Sequence, residues 1–255
     1  LDMLTRDELN IYGPPGFHLA QKEKDYIQHF VLSFMSQSGF AGVFKGGTAL
    51  QKALSLPRYS EDLDFTLNDA QIPDMESLAA FLSASGFSSA KWTKNAQDIS
   101  ETIKIRFRGP LYNGASVSEG TIRLEFSKRE KTILEPKPIM ATPPYPDIIP
   151  YQLRLMHPEE IAAEKIRAIL TRNSARDLFD LYFLIHLKTK IKIELADKKL
   201  EYCGLKFGHE KFESKITKLK NIWKTEISAL TTSGLEYDTA AESVLAEIKL
   251  ALFHE

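Results

Sequence analysis

The stretch from Phe44 to Phe65, FKGGTALQKALSLPRYSEDLDF, most constrains what this chain can fold into. It places a Gly-Gly-Thr turn ahead of a helical segment and then two aspartates one residue apart. On a β-strand, Asp62 and Asp64 would leave one face of the strand, while the apolar residues between and after them would pack on the other. The segment therefore predicts a strand, a helix and a second strand that presents two neighbouring carboxylates.

These residue types favour a site for phosphates and a divalent cation. Two adjacent carboxylates repel each other, and a hard ion such as Mg2+ relieves that repulsion by bridging their oxygens to substrate phosphates. Gly46 and Gly47 allow a tight turn close to a phosphate, and the helix beginning near Thr48 adds N–H donors and a positive dipole. The alternative is an ordinary strand-to-helix turn followed by an acidic strand end.

Two residues just ahead of the aspartates are candidate phosphate contacts. Arg58 carries the charge for such a contact, and Ser60 carries a hydroxyl. Ser60 would equally suit a cap of the turn. We therefore expect both side chains to contact the phosphates of a bound nucleotide. The alternative for Ser60 is that it caps a local turn.

A second cluster lies in PEEIAAEKIRAILTRNSARDLFDLYFL, which begins at Pro158. Lys165 falls on the apolar stripe of the first helix, so its ammonium must find a partner or reach into a cleft. Residues 172–174 break the helix, and the next helix sets Asp177 and Asp180 one turn apart, the latter among apolar neighbours. The alternative to a catalytic role is an interhelical Lys–Asp salt bridge, and for Asp180 a partnership with Arg176.

Composition excludes several classes of protein. The net charge of the 255-residue chain is −1, so no global positive field indicates nucleic acid. RNA contact would need local patches, of which the candidates are Lys104, Arg106 and Arg108 on one strand and the run Lys128, Arg129 and Lys131; such faces more often meet only water. One cysteine, no apolar run of membrane-spanning length and a charged N-terminal segment without a signal-peptide core predict a cytoplasmic protein without a membrane partner.

The pattern along the chain predicts a mixed α/β (α+β) domain over residues 1–150 and a helical domain over 151–255. A proline-rich segment, from Pro136 to Pro150, marks the boundary. Periodicity predicts helices over 22–35, 48–56 and 75–84, strands over 42–45, 62–67, 103–107 and 122–126, and helices almost throughout beyond His157.

The motifs resemble those of a known family. Gly46-Gly47-Thr48 followed by Asp62-x-Asp64 resembles the GS…DxD motif of the polymerase-β-like nucleotidyltransferase superfamily, with Thr48 in the place of the usual Ser. The strings FKGGTAL…RYSEDLDF and ExxAxKxxA…RDxxDL are similar to those of the AbiEii/AbiGii toxin family, also known from the MenT toxins. The resemblance covers roughly residues 22 to 187.

The resemblance implies a polymerase-β-like core followed by a C-terminal helical domain, with the active site in the cleft between them. Mg2+, with Mn2+ as the alternative, would be held by the two aspartates and by Glu125 from a neighbouring strand; the alternative for Glu125 is a surface pair with Arg123. Lys165 would face nucleotide phosphates, Asp177 would complete the site, and Asp180 is the weaker candidate.

The implied reaction is transfer of a nucleoside monophosphate from an NTP to a hydroxyl, with an RNA end, such as the tRNA 3′ terminus, as acceptor. The implied role is that of a bacterial type IV toxin or abortive-infection protein with a cognate antitoxin encoded nearby. Two rival hypotheses are a nucleotidyltransferase with a protein or small-molecule acceptor and a non-catalytic nucleotide- or RNA-binding module. Paired carboxylates argue against the last of these, because binding alone does not require them.

Overall fold

The computed structural model describes residues 3–253, which divide into two compact units. The first unit comprises the chain up to Ser55, Tyr59–Thr132 and Pro136–Leu155. The second comprises Leu56–Arg58, Ile133–Glu135 and the chain from Met156 onward.

The first unit is a seven-stranded mixed sheet with helices. Its helices are α1 (Arg6–Tyr12), α2 (Leu19–Gln37), α3 (Gly46–Leu54) and α4 (Met75–Ala84). Its strands are β1 (Val43–Lys45), β2 (Leu63–Thr66), β3 (Ser88–Gln97), β4 (Ser100–Arg108), β5 (Gly120–Ser127), β6 (Lys137–Ala141) and β7 (Tyr151–Leu155). The strand order is β3-β4-β5-β2-β1-β7-β6, and β2 runs antiparallel to β1 but parallel to β5.

Strand register separates an apolar face of the sheet from a polar one. Phe44, Phe65 and Phe126 are cross-strand partners on β1, β2 and β5, and their rings stack at centroid distances of 5.1 and 5.5 Å. All three are buried. Because side chains alternate along a strand, the next row of partners points to the opposite face.

Three strands were not predicted from the sequence. β3 was not predicted, because its polar sequence shows no apolar alternation and nearly all of its residues are exposed. β6 and β7 lie within or beside the proline-rich segment that was predicted to mark the domain boundary. Pro138 is compatible with β6 because β6 is an edge strand, where a missing N–H breaks no ladder bond. The predicted strand from Asp62 is also corrected, since β2 begins one residue later.

The second unit is helical within the described residues, as the periodicity predicted. Its helices are α5 (Pro158–Thr171), α6 (Ala175–His186), α7 (Ile193–Glu201), α8 (His209–Ile227) and α9 (Tyr237–Phe253). The predicted break between α5 and α6 is confirmed at residues 172–174. Among residues 3–253, no helix combines the length and the apolar character needed to cross a membrane.

Candidate functional site

One row of side chains on the polar face of the sheet carries the predicted carboxylates. Lys45 on β1 is the register partner of Asp64 on β2, which in turn is the partner of Glu125 on β5. This row is adjacent to the buried phenylalanine row and faces the other way. Asp62, two residues before Asp64, lies close enough to Glu125 for the two charges to interact. The sheet therefore pairs Asp64 with Glu125 and leaves Asp62 near Glu125; that the three carboxylates form one site stays a prediction.

The backbone of Gly46 lies close to the Asp64 carboxylate. Its φ of +76° lies in the left-handed region, which favours glycine. A Cβ atom at this position would lie 2.4 Å from Asp64 Oδ2, so the backbone approaches that oxygen more closely than any other residue would allow. The predicted need for glycine in this turn thus has a specific cause, the neighbouring carboxylate.

The segment that carries Asp62 is held by side chains from two helices. The Thr48 hydroxyl on α3 donates to the backbone carbonyl of Asp62. Gln28 on α2 donates to the carbonyls of residues 60 and 61, at 3.0 and 2.8 Å, and the Ser60 N–H donates to the Gln51 side chain at 3.1 Å. Thr48 therefore fixes the position of Asp62, and the two glutamines, which carry no sequence motif, were missed by the sequence analysis.

The environment of Asp62 disfavours its ionised form. Burial raises the pKa of the Asp62 carboxyl, and the charges of Glu125 and Glu61 raise it further, against the opposing effect of Arg123. Glu125 and Glu61 therefore repel the ionised Asp62 carboxylate, while the repulsion expected between Asp62 and Asp64 stays a prediction. A cation bound at its oxygens would relieve this cost.

Glu125 is engaged by a cation of its own strand. Its carboxylate accepts a hydrogen bond from the Arg123 guanidinium, and both side chains are partly exposed. This is the surface pair that the sequence offered as the alternative to metal binding. A role for Glu125 as a metal ligand remains a prediction.

The oxygen donors of the row fit Mg2+ without a complete cage. In the described part of the chain, no group of three His, Cys, Asp or Glu side chains is arranged to hold a metal ion. Magnesium ordinarily keeps several waters and is bound by one or two carboxylates together with substrate phosphates. The Asp62 and Asp64 carboxylates have the chemistry for that incomplete set, and Asp64 lies against Gly46 at the N-terminus of α3.

The second motif forms a buried ion cluster in the helical unit. Lys165 Nζ on α5 lies 3.1 Å from Asp177 Oδ1 and 2.6 Å from Asp180 Oδ2, both on α6. Arg172 makes paired hydrogen bonds with Asp177 at 2.7 and 2.8 Å, and Arg58 makes two with Asp180 at 2.6 Å. Both aspartates are fully buried, and each carboxylate contacts two cations, of which Lys165 is shared.

These contacts confirm the expected need of Lys165 for a partner and identify the partners. Asp180 pairs with Arg58 and Lys165, while Arg176, its partner in one sequence-based alternative, is exposed. Arg58, which we expected at phosphate, is itself buried in this cluster. Arg172 was missed as a member, because the sequence marked it only as a helix breaker. Catalytic roles for Lys165 and Asp177 remain predictions.

The charges of the cluster keep its carboxylates ionised. Burial raises the pKa of Asp177, but the charges and hydrogen bonds of Lys165 and Arg172 outweigh it and lower that pKa to about 2. Because the ordinary value is 3.8, the stabilisation is complete above that pH and is lost as the pH falls towards 2. At neutral pH Asp177 is therefore ionised, and its ion pairs contribute their full stabilisation to the fold.

Solved structures share this fold. JHP933 from Helicobacter pylori is 21% identical, with a TM-score of 0.61 and coverage of 92% of each chain. MenT4, a nucleotidyltransferase toxin from Mycobacterium tuberculosis, is 17% identical, with a TM-score of 0.61 and coverage of 98% of this chain and 90% of its own. The expected fold class is thereby confirmed.

Sequence comparison identifies the family. No curated protein gives a significant sequence match. The family model described as nucleotidyl transferase AbiEii toxin, type IV toxin–antitoxin system, matches residues 35–247, which include both motif clusters and most of the chain. The resemblance seen in the motifs is confirmed: the chain belongs to the AbiEii family of nucleotidyl transferase toxins.

Proposed function

We propose that this protein transfers a nucleoside monophosphate from an NTP to the hydroxyl of an RNA end, with the tRNA 3′ terminus as the leading acceptor, and releases pyrophosphate. The observation that carries the proposal is the pairing of Asp64 with Glu125 on one sheet face beside the Gly46 turn, with Asp62 near enough to interact with the charge of Glu125. This face combines oxygen donors for a cation with N–H donors for phosphates. A binding module would gain nothing from carboxylates that repel its anionic ligand.

In this proposal Asp62 and Asp64 hold Mg2+, or Mn2+ in its place, and Glu125 adds negative charge beside them. When bound, the ion would screen the phosphate charges and make the acceptor oxygen a better nucleophile. The turn of Gly46 and Gly47 and the N-terminus of α3 seat the outer phosphates, because helix N–H groups there lack intrahelical partners. The Thr48 hydroxyl holds the Asp62 backbone in place.

The acceptor hydroxyl attacks the α-phosphorus of the NTP. A phosphorus–oxygen bond forms to the acceptor, the bond to the leaving pyrophosphate breaks, and the acceptor proton passes to solvent. Asp62 and Asp64 orient the reacting groups, which is the larger part of catalysis in phosphoryl transfer. Membership of a type IV toxin family supports a cytoplasmic toxin with an antitoxin encoded nearby.

Incubation with α-labelled NTPs, Mg2+ and total bacterial RNA or protein tests the proposal. We expect label in RNA with the wild type and none with Asp64→Ala. Asp69→Ala is the matched control, because it removes a carboxylate of the same unit whose side chain is 82% exposed. It should label RNA as the wild type does.

The fraction that takes up label separates the hypotheses. Label confined to protein would replace the RNA acceptor with a protein side chain. Absence of label with all four NTPs and both cations would overturn the transferase proposal. Label that persists in Asp64→Ala would remove this residue from the mechanism.

A further inference from the structure

Strands β3, β4 and β5 carry a group of exposed cations on the polar face of the sheet. The group comprises Lys91, Lys104, Arg106 and Arg123, called the basic face below. Lys91 is the register partner of Arg106, and Lys104 is the partner of Arg123. Aligned partners point the same way, so all four side chains share one face.

This arrangement of cations is unfavourable in the absence of a bound anion. Like charges directly opposite each other on neighbouring strands destabilise the pair. Arg123 is partly compensated by Glu125. Within residues 3–253, Lys91, Lys104 and Arg106 form no ion pair at all.

The opposite face of the same strands is built differently. There Glu101 on β4 lies between Lys94 on β3 and Lys128 and forms an ion pair with each. On this opposite face both lysines are paired, whereas on the basic face Arg123 is paired with Glu125, Arg108 at its end with Glu119, and Lys91, Lys104 and Arg106 have no ion pair within the described residues. Glu101 is nearly buried and therefore requires its cations, whereas the cations of the basic face are exposed and are left to solvent or to a ligand.

The basic face is continuous with the carboxylate row. Thr102 on β4 is the register partner of Glu125, and Glu125 is the partner of Asp64. Lys104 and Arg123 lie two residues along their strands from this row, which is about 7 Å at the usual rise of a strand. Lys91 and Arg106 lie two residues further out. A bound polyanion could thus run along the strands and end at Asp64.

We infer that the basic face binds the sugar–phosphate backbone of the acceptor RNA and directs its end to Asp62 and Asp64. The inference rests on the proposed function and specifies its acceptor surface. The overall charge of −1 gives no general attraction for RNA, so a local surface must supply it. Lysine and arginine contacts to phosphate fix the position of a strand without reading its sequence.

The test uses the full chain and a fluorescent single-stranded RNA of 20 nucleotides and mixed sequence, with binding followed by anisotropy over a range of salt concentrations. The variant Lys104→Gln/Arg106→Gln should bind more weakly. The slope of log K against log salt should become shallower by about 1.4, since each phosphate contact on a single strand contributes about 0.7. Its melting temperature should be unchanged or slightly higher, because two like-charged pairs are removed.

The matched control is Lys211→Gln/Lys218→Gln, which removes two exposed lysines of α8 and changes the net charge equally. It should bind RNA as the wild type does. Equal weakening in both double variants would reduce the effect to net charge and overturn the inference. Unchanged RNA binding in Lys104→Gln/Arg106→Gln would also overturn it.

Asp64→Ala separates this inference from the proposed function. It should bind the RNA at least as tightly as the wild type while transferring no nucleotide. If RNA binding depends on Lys104 and Arg106 but no RNA is ever labelled, the surface stands and the transfer reaction fails. If RNA is labelled equally by wild type and Lys104→Gln/Arg106→Gln at limiting RNA, the reaction stands and the surface fails.

Discussion

The contact between Gly46 and Asp64 gives the sharpest prediction at the scale of a single residue. In Gly46→Ala, the new Cβ would lie 2.4 Å from Asp64 Oδ2 and must displace that carboxylate. The positive φ adds strain of roughly 1–2 kcal/mol. We expect a folded protein that loses most of its nucleotide transfer, measured by RNA labelling, with a lower melting temperature.

Gly39→Ala is the control for strain alone. Gly39 also has a positive φ, +70°, but a Cβ there would meet nothing within 4 Å. It should lower the melting temperature by a similar amount and leave transfer intact. Equal loss of transfer in the two variants would mean that the approach of Gly46 to Asp64 has no part in the reaction.

Some residue-level features were predictable and others were not. Asp64 could be placed on the face opposite Leu63 and Phe65, because alternation along a strand is a local rule, whereas Asp62 lies just before β2 and its sharing of that face stays a prediction. Other features depend on how distant segments pair. They are the contact of Gly46 with Asp64 and the hydrogen bonds from Gln28 to the backbone just before Asp62. No local pattern encodes such pairing, so only the structure reveals these residues.

At the scale of elements, Lys165 joins α5 to α6. Because Asp177 and Asp180 are fully buried, Lys165→Met would leave their charges with fewer partners. Breaking a buried ion pair on one side costs about 3–5 kcal/mol. We therefore expect a marked fall in stability to denaturant.

Lys198→Met, at an exposed position on α7, provides the control and should leave stability unchanged. A stable Lys165→Met protein that has lost transfer would contradict the structural role. It would support instead the role at nucleotide phosphates that the family resemblance implied. The stability of Lys165→Met to denaturant thus distinguishes the two roles independently of its activity.

Element prediction succeeded where side-chain periodicity was strong. α4 has the predicted bounds, and β4 and β5 contain the alternating apolar residues from which they were predicted. β7 has the same alternation, in YQLRL, but it was not predicted, because it follows the proline-rich boundary and was placed in the helical domain. β3 had no such signal, because a polar edge strand exposed on both faces has no apolar side to mark it.

At the scale of the whole molecule, the order of the motifs predicted the family better than composition did. Charge and apolar content are ordinary, whereas the GGT turn, the DLD strand and the Lys165–Asp180 cluster occur in a fixed order. The β3–β5 surface shows the opposite case. Its basic strand was visible in the sequence, but the unfavourable pairing of its cations appears only with the strand register.

The final prediction concerns the protein expressed alone in a bacterial host. The wild type should slow growth, because added nucleotides at a tRNA 3′ end would block the terminal ribose that carries the amino acid. Asp64→Ala should not slow growth at matched expression, and Asp69→Ala should act as the wild type. Growth curves and labelling of RNA extracted from the same cells give the two measurements.

If wild type and Asp64→Ala slow growth equally, the growth defect does not arise from nucleotide transfer. If neither slows growth and RNA from both lacks added nucleotides, the proposed RNA acceptor is wrong, and a protein or small-molecule acceptor is left for the carboxylates of this sheet.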